Sequence, residues 1–110
     1  MGVFDFLLKK GPRLDINEAA EYLKDNPSAV LLDVREPDEF ASGRIPGSWN
    51  MPLSILMSES AGLPDKEAPV YVYCLSGVRS RQAVRILKNQ GYTNVLDLGG
   101  INKYRGPVES

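Results

Sequence analysis

Residues 70–91 have the sequence VYVYCLSGVRSRQAVRILKNQG, which predicts a strand, a tight loop and a helix in immediate succession. The β-branched and aromatic run at 70–73 is typical of a central strand and ends at Cys74. Beyond the loop, apolar residues at helical spacing lead to Gly91, a residue favoured just past a helix end. This order predicts half of a right-handed βαβ unit.

Strand and helix patterns alternate on both sides of this stretch. Residues 29–32 (AVLL) and 95–98 (VLDL) are short apolar runs typical of buried parallel strands, and residues 48–50 suggest a brief third one. We therefore predict the α/β class, with a small, mostly parallel central sheet flanked by helices on both faces.

Capping residues indicate where the remaining helices begin. Asp15 followed by Glu18 predicts a capped helix that ends before Pro27. Pro37 suits the first turn of a second, short helix ending at Gly43, and residues 53–57 predict another. The folded domain is expected over residues 13–110.

Residues 1–12 precede this pattern as an N-terminal arm. The arm is apolar at 3–8 except for Asp5, and its lysines follow the apolar patch, an order unlike that of a signal peptide. Packing on the chain's own domain is the favoured expectation, and docking on a partner or lipid surface is the alternative. No run is long enough for a membrane span.

Composition excludes several kinds of chemistry. The 110 residues allow one domain, and thirteen Lys and Arg against fourteen Asp and Glu give a net charge of −1, which argues against nucleic-acid binding. With one Cys and no His, the chain has no intrachain disulfide, no His-based zinc site and no Cys-His or Ser-His pair. No metal or cofactor is expected.

Positive charge gathers after Cys74. Residues 1–68 hold seven basic and twelve acidic side chains, whereas residues 69–110 hold six basic and two acidic ones. Arg79, Arg81 and Arg85 suggest an anionic small molecule or phosphate-like group nearby, and a solvated basic helix face is an equally good interpretation.

Cys74 is the candidate nucleophile because it lies where open α/β sheets bind ligands, at the carboxyl end of a strand. Gly77 would let the loop curl back so that successive N–H groups point at the sulfur as an anion nest. Such a thiol should have a depressed pKa and react without imidazole. The alternative is a small buried apolar residue.

Four segments together resemble the rhodanese-like sulfurtransferase family. The loop Cys74, Leu75, Ser76, Gly77, Val78, Arg79 and Ser80 is similar to its active-site loop. Residues 32–40, 43–52 and 98–101 are similar to its other signatures and follow in the same order. The resemblance covers roughly residues 13–106.

The resemblance implies sulfane-sulfur transfer through a persulfide on Cys74. The donor would be a small anion such as thiosulfate or a polysulfide, the acceptor cyanide or a thiol, and a protein sulfur-relay partner is compatible with it. Loop amides would stabilise the persulfide, with Arg79 stabilising the loop and the anion, and Ser80 capping the helix or closing the nest.

Other residues receive mainly structural interpretations. Asp33 and Arg35 could touch the loop or fix the strand-to-helix corner through an ion pair such as Arg35 with Glu39. The aromatic side chains Trp49, Tyr71 and Tyr73 are expected in the core or a pocket wall. Gly99 and Gly100 suggest a tight turn rather than a phosphate site, because no Gly-rich fingerprint accompanies them.

Three positions depart from the family pattern. Leu75 stands where many thiosulfate-using members carry a basic residue, Arg44 where His is frequent, and Tyr104 where Trp is frequent. Thiosulfate affinity is therefore expected to be modest, although Arg44 could help to attract an anion.

Two other functions compete with this one. Cys-dependent phosphatases have five residues between Cys and Arg, whereas four separate Cys74 from Arg79, and the smaller loop suits sulfur better. A sulfur-carrier or interaction module with little turnover is the stronger alternative. A thiol that must stay reduced, without an export segment, favours the cytoplasm.

Overall fold

Four parallel strands form the sheet at the centre of residues 11–110, the part of the chain that the computed structural model describes. The strands are β1 (Val30–Asp33), β2 (Trp49–Asn50), β3 (Val70–Cys74) and β4 (Val95–Gly100), in the spatial order β2-β1-β3-β4. All pairs are parallel, so the expected α/β sheet is confirmed.

The strand β3 is central because it pairs on both edges. Val72 lies between Leu32 of β1 and Asp97 of β4, and all five residues of β3 are buried. The first strand is shifted by one residue from the apolar run at 29–32. Val30 is its first residue paired with β3, and Asp33 continues the pairing with Tyr73 and Asn50.

Within the described residues, four α-helices and one 3-10 helix surround the sheet. They are α1 (Ile16–Asp25), α2 (Pro37–Ser42), α3 (Leu53–Leu56), α4 (Val78–Asn89) and the 3-10 helix Ile101–Lys103. The predicted capping pair is confirmed, since the Asp15 carboxylate accepts from the Glu18 N–H at 2.8 Å and Glu18 accepts from the Asp15 N–H at 2.9 Å. Pro37 begins α2 and Gly43 follows it, as expected.

Strand alternation divides the core into two layers. On one face Val72 and Cys74 pack with Ala83 and Leu87 of α4; on the other, Tyr71 and Tyr73 pack with residues of α1 that include Ile16 and Ala19. Cys74 and α4 therefore share one face of the sheet, and α1 lies on the opposite face.

The arm predicted at 1–12 lies mostly outside the described residues. Its last two residues are described: the Gly11 N–H donates to Asn94 Oδ1 at 3.3 Å, and the Pro12 carbonyl accepts from the Tyr71 hydroxyl at 2.8 Å. These bonds attach the start of the described chain to the sheet. None of the helices in residues 11–110 has the length and apolar character needed to cross a bilayer.

Candidate functional site

The sulfur of Cys74 lies under a loop that returns over it. Cys74 is the last residue of β3 and is 1% exposed. Its Sγ accepts hydrogen bonds from the Gly77 N–H at 3.0 Å and the Ser80 N–H at 3.3 Å. The loop therefore directs backbone amides at the only thiol of the chain.

Two residues close this loop. Gly77 has φ of +106°, which L side chains rarely adopt, and it is the residue preceding α4. The Ser80 hydroxyl donates to the Gly77 carbonyl at 3.1 Å and is itself fully buried. The predicted left-handed glycine is confirmed, and Ser80 closes the loop.

These surroundings shift the pKa of the Cys74 thiol in opposite directions. Burial raises the pKa, whereas hydrogen bonds from the Ser80 amide and hydroxyl and from the Gly77 and Ser76 amides lower it, and the net result is a lowered pKa. The thiolate is thus favoured without a His.

We expect the thiolate of the folded protein to form below the value of 9.0 that is ordinary for Cys. The pH dependence of iodoacetamide alkylation measures this, with the urea-unfolded chain as reference. Because the pKa is lower in the folded state, the thiolate stabilises the fold fully above the unfolded pKa. That contribution disappears as the pH falls through the folded pKa.

Ser80→Ala removes one hydrogen-bonding group and should move the alkylation midpoint to higher pH. Ser76→Ala is the matched control, because it deletes an exposed hydroxyl from the same loop while keeping the Ser76 amide. Equal midpoints for both variants would contradict a role of the Ser80 side chain.

The end of β4 and the residues after it contact the Cys74 loop. Pairing between β3 and β4 slips after Val72, so that Cys74 lies beside Gly100. The Asn102 N–H donates to the Leu75 carbonyl at 3.3 Å, and an added Cβ on Gly100 would overlap that carbonyl oxygen.

The turn at Gly99 and Gly100 is thus also a surface on which the Cys74 loop packs. Gly99 has φ of +83°, as a tight turn requires. This contact with the loop could not be predicted from local sequence, in which two adjacent glycines after the apolar run at 95–98 are the only signal.

Arg79 joins the loop to α2. Its guanidinium forms a two-point ion pair with Glu39, with Nη1 2.6 Å from Oε1 and Nη2 3.0 Å from Oε2. The hydrogen bonds from Arg79 lower the pKa of Glu39 to about 2. The expected pairing of Arg35 with Glu39 is therefore wrong, because β1 and β3 are neighbours and α4 begins where it can reach α2.

Arg35 instead pairs with Asp33, two residues away. Arg35 Nη2 lies 2.8 Å from Asp33 Oδ2, and it also donates to the Gly43 carbonyl at 2.7 Å. The guanidinium lies over the Tyr73 ring, 5.8 Å from its centroid. Asn50 Nδ2 binds the carbonyls of Asp33 and Arg35. This buried cluster fixes the corner between β1 and α2.

Asp33→Ala should lower the free energy of unfolding by about 3–5 kcal/mol, because it leaves the buried guanidinium of Arg35 without its carboxylate. Urea unfolding curves measure the change. Asp25→Ala, which removes an exposed acid at the end of α1, should change stability by less than about 0.5 kcal/mol. Similar losses in the two variants would show that the buried pair adds nothing.

Arg44 lies next to the C-terminal segment. Its Nε is 3.6 Å from Glu109 Oε1, its backbone pairs with that of Glu109, and its guanidinium lies 4.7 Å from the centroid of the Phe40 ring. These contacts give Arg44 a structural role in joining residue 109 to the domain.

Trp49, expected in the core or a pocket wall, is not in the core but forms part of a pocket wall. It is 68% exposed, because the two-residue strand β2 is at the sheet edge. It lines a groove of about 600 Å³ with residues of α1 and with Tyr104, and no residue of the Cys74 loop lines that groove. Tyr71 and Tyr73 are fully buried, as expected.

Metal-ligating side chains do not gather in the described part of the chain. Among residues 11–110, no group of three or more Cys, Asp or Glu side chains is placed to hold a metal ion.

Similar proteins identify the family to which the chain belongs. A family model described as Rhodanese-like domain matches residues 15–106. The chain is 41% identical to the uncharacterised protein YqhL of Bacillus subtilis, covering 74% of this chain and 65% of that protein. It is 37% identical to a sulfurtransferase of Allochromatium vinosum, covering 79% and 80%.

A solved structure is also similar. A rhodanese with anions from E. coli is 34% identical, with a TM-score of 0.67, and the match covers 74% of this chain and 98% of that one. Because the family model matches most of the residues, the chain belongs to the rhodanese-like domain family, with a sulfurtransferase among its relatives.

Proposed function

We propose that the chain is a sulfurtransferase that carries a sulfane sulfur as a persulfide on Cys74, and that residues 13–110 form the domain responsible. The observation that carries the proposal is the pair of amides, Gly77 and Ser80, that donate to a buried sulfur. Amides placed in this way stabilise a thiolate and, after transfer, an anionic terminal sulfur.

In the first step the Cys74 thiolate attacks the outer sulfur of thiosulfate. A bond forms between Sγ and that sulfur, the S–S bond of thiosulfate breaks, and sulfite leaves with the bonding electron pair. Cys74 then holds a persulfide anion. A polysulfide donor would react in the same way, with a shortened polysulfide as leaving group.

In the second step a nucleophile removes the sulfur. Cyanide or a thiolate attacks the outer sulfur, the S–S bond to Cys74 breaks, and the Cys74 thiolate leaves with the electron pair. The products are thiocyanate or a new persulfide, and neither step needs an external oxidant, reductant or metal.

The short loop, with four residues between Cys74 and Arg79, favours sulfur over phosphate. The proposed donors are thiosulfate and a polysulfide. The exposed Leu75 adds no positive charge, and Arg79 is engaged by Glu39, so affinity for thiosulfate should be modest. The similar E. coli structure is a rhodanese with anions, which supports an anionic donor.

The test is to incubate the reduced protein with thiosulfate and, separately, with polysulfide, and to measure its intact mass. One added sulfur atom per chain is expected, followed by its loss and the appearance of thiocyanate when cyanide is added. A chain that gains no sulfur from either donor would refute sulfur transfer. A chain that is loaded but releases sulfur too slowly for turnover would favour the sulfur-carrier alternative.

A further inference from the structure

The exposed side of α4 begins beside Cys74 and carries apolar side chains there. Leu75 in the loop is 47% exposed, and Val78, the first residue of α4, is 61% exposed. The buried side of the helix is formed by Ser80, Ala83 and Leu87. The start of α4, where the Ser80 amide binds the sulfur, thus presents apolar side chains at the surface.

Three cations continue this side of the helix. Arg81, Arg85 and Lys88 are exposed and recur at helical spacing, so they share one face with Val78, away from Ala83. No ion pair formed within residues 11–110 includes any of them. We refer to Arg81, Arg85 and Lys88 as the basic stripe.

The basic stripe differs from Arg79 in having positive charge that is available to a binding partner. The charge of Arg79 is offset by Glu39, whereas the cations of the stripe have no carboxylate partner in the described chain. Lys88 lies seven positions after Arg81, which corresponds to a helix length of about 10 Å. That length exceeds a single small anion and matches a patch on a macromolecule.

We propose that the natural sulfur acceptor is a protein thiol beside an acidic surface patch, which docks on Leu75, Val78 and the basic stripe; this inference rests on the proposed function. Protein interfaces typically have apolar contacts at the centre and charged groups at the rim. Here the apolar residues lie next to the reacting sulfur and the basic stripe lies farther along the helix. The net charge of −1 gives nucleic acid no general attraction, which favours a protein.

The transfer follows the second step above. The partner's thiolate attacks the outer sulfur of the Cys74 persulfide, a new S–S bond forms on the partner, and the Cys74 thiolate leaves with the electron pair of the broken bond. Complementary charge increases the rate of encounter and leaves the chemistry unchanged.

The test uses two synthetic acceptor peptides, each with one Cys, flanked by Glu residues in one and by Lys residues in the other. Chain loaded with sulfur is mixed with each, and persulfide on the peptide is followed by mass spectrometry. The acidic peptide should be preferred by about tenfold at low salt. The preference should approach unity at about 1 M salt, where the Debye length is about 3 Å.

The variant Arg81→Glu/Arg85→Glu should lower this preference ratio about tenfold or invert it. The intrinsic reactivity of each peptide thiol cancels when the ratios of the two proteins are compared. Arg13→Glu/Lys24→Glu is the matched control, because it makes the same change in charge at exposed positions before and within α1, across the sheet from α4. The control should keep the original ratio.

Three results would overturn the inference. An unchanged ratio in the α4 variant, or an equal change in the control, would remove the basic stripe as its cause. Stronger inhibition by a single-stranded RNA oligonucleotide than by poly-glutamate of equal charge would assign the stripe to nucleic acid. Failure of every donor to load Cys74 would refute the proposed function itself, whereas normal loading with equal peptide rates refutes this inference alone.

Discussion

Cys74→Ser is expected to abolish sulfur loading and to reduce transfer to cyanide by about a thousandfold or more, to the uncatalysed level. A serine hydroxyl remains protonated at the pH where the stabilised thiol is ionised, and the sulfur nucleophile is gone. Intact mass after incubation with donor and the rate of thiocyanate formation measure the two effects.

The loss should arise from chemistry rather than from unfolding. Ser is close in size to Cys, and its hydroxyl oxygen still accepts from the Gly77 and Ser80 amides, so stability should change by no more than about 1 kcal/mol. Urea unfolding of the variant checks this point.

A matched control tests whether activity requires the amide loop around Cys74 or only a thiol somewhere in the chain. Cys74→Ser/Ser58→Cys moves the single thiol to an exposed position that lacks the amide loop. It should remain inactive, because an exposed thiol has no nest to stabilise the thiolate or the persulfide. Restored turnover in the double variant would refute the loop as the source of activity.

Gly100→Ala is expected to be the most damaging substitution outside the loop itself. The added Cβ would overlap the Leu75 carbonyl oxygen and lie 2.7 Å from the Ser76 Cα, so the loop or β4 must move. Overpacking of this kind costs about 1–3 kcal/mol in stability. The displaced amides should also raise the pKa of Cys74 and slow sulfur loading about tenfold or more.

The control is Gly43→Ala. Gly43 has an extended backbone with φ of 164°, and an added Cβ would meet only Val108 Cγ2 at 3.9 Å, an ordinary contact. Its stability, alkylation midpoint and loading rate should match those of the unmodified chain. If Gly100→Ala behaved like this control, the end of β4 would have no part in shaping the loop.

Much of the fold could be predicted because it depends on local sequence. The buried run before Cys74, the capping pair at Asp15 and Glu18, and the helix start at Pro37 act over a few residues. The positive φ of Gly77 follows from the same local sterics.

Other features depend on residues far apart in the chain. Glu39 and Arg79 are forty residues apart, and their pairing requires β1 and β3 to be neighbours. The aromatic side chain of Trp49 is compatible with the core or a pocket wall, and the edge position of β2 decides for the exposed pocket wall. Neither could be read from spacing or composition.

The sequence by itself determined the alternation of strands and helices, the single thiol at the end of a buried strand and the glycine that lets the loop return, because periodicity and backbone sterics act between near neighbours. Only the tertiary structure decided that Gly100 supports the loop, that Glu39 engages Arg79, and that Arg81 and Arg85 form no ion pair within residues 11–110. Strand order and register bring distant residues together, and they are properties of the whole sheet.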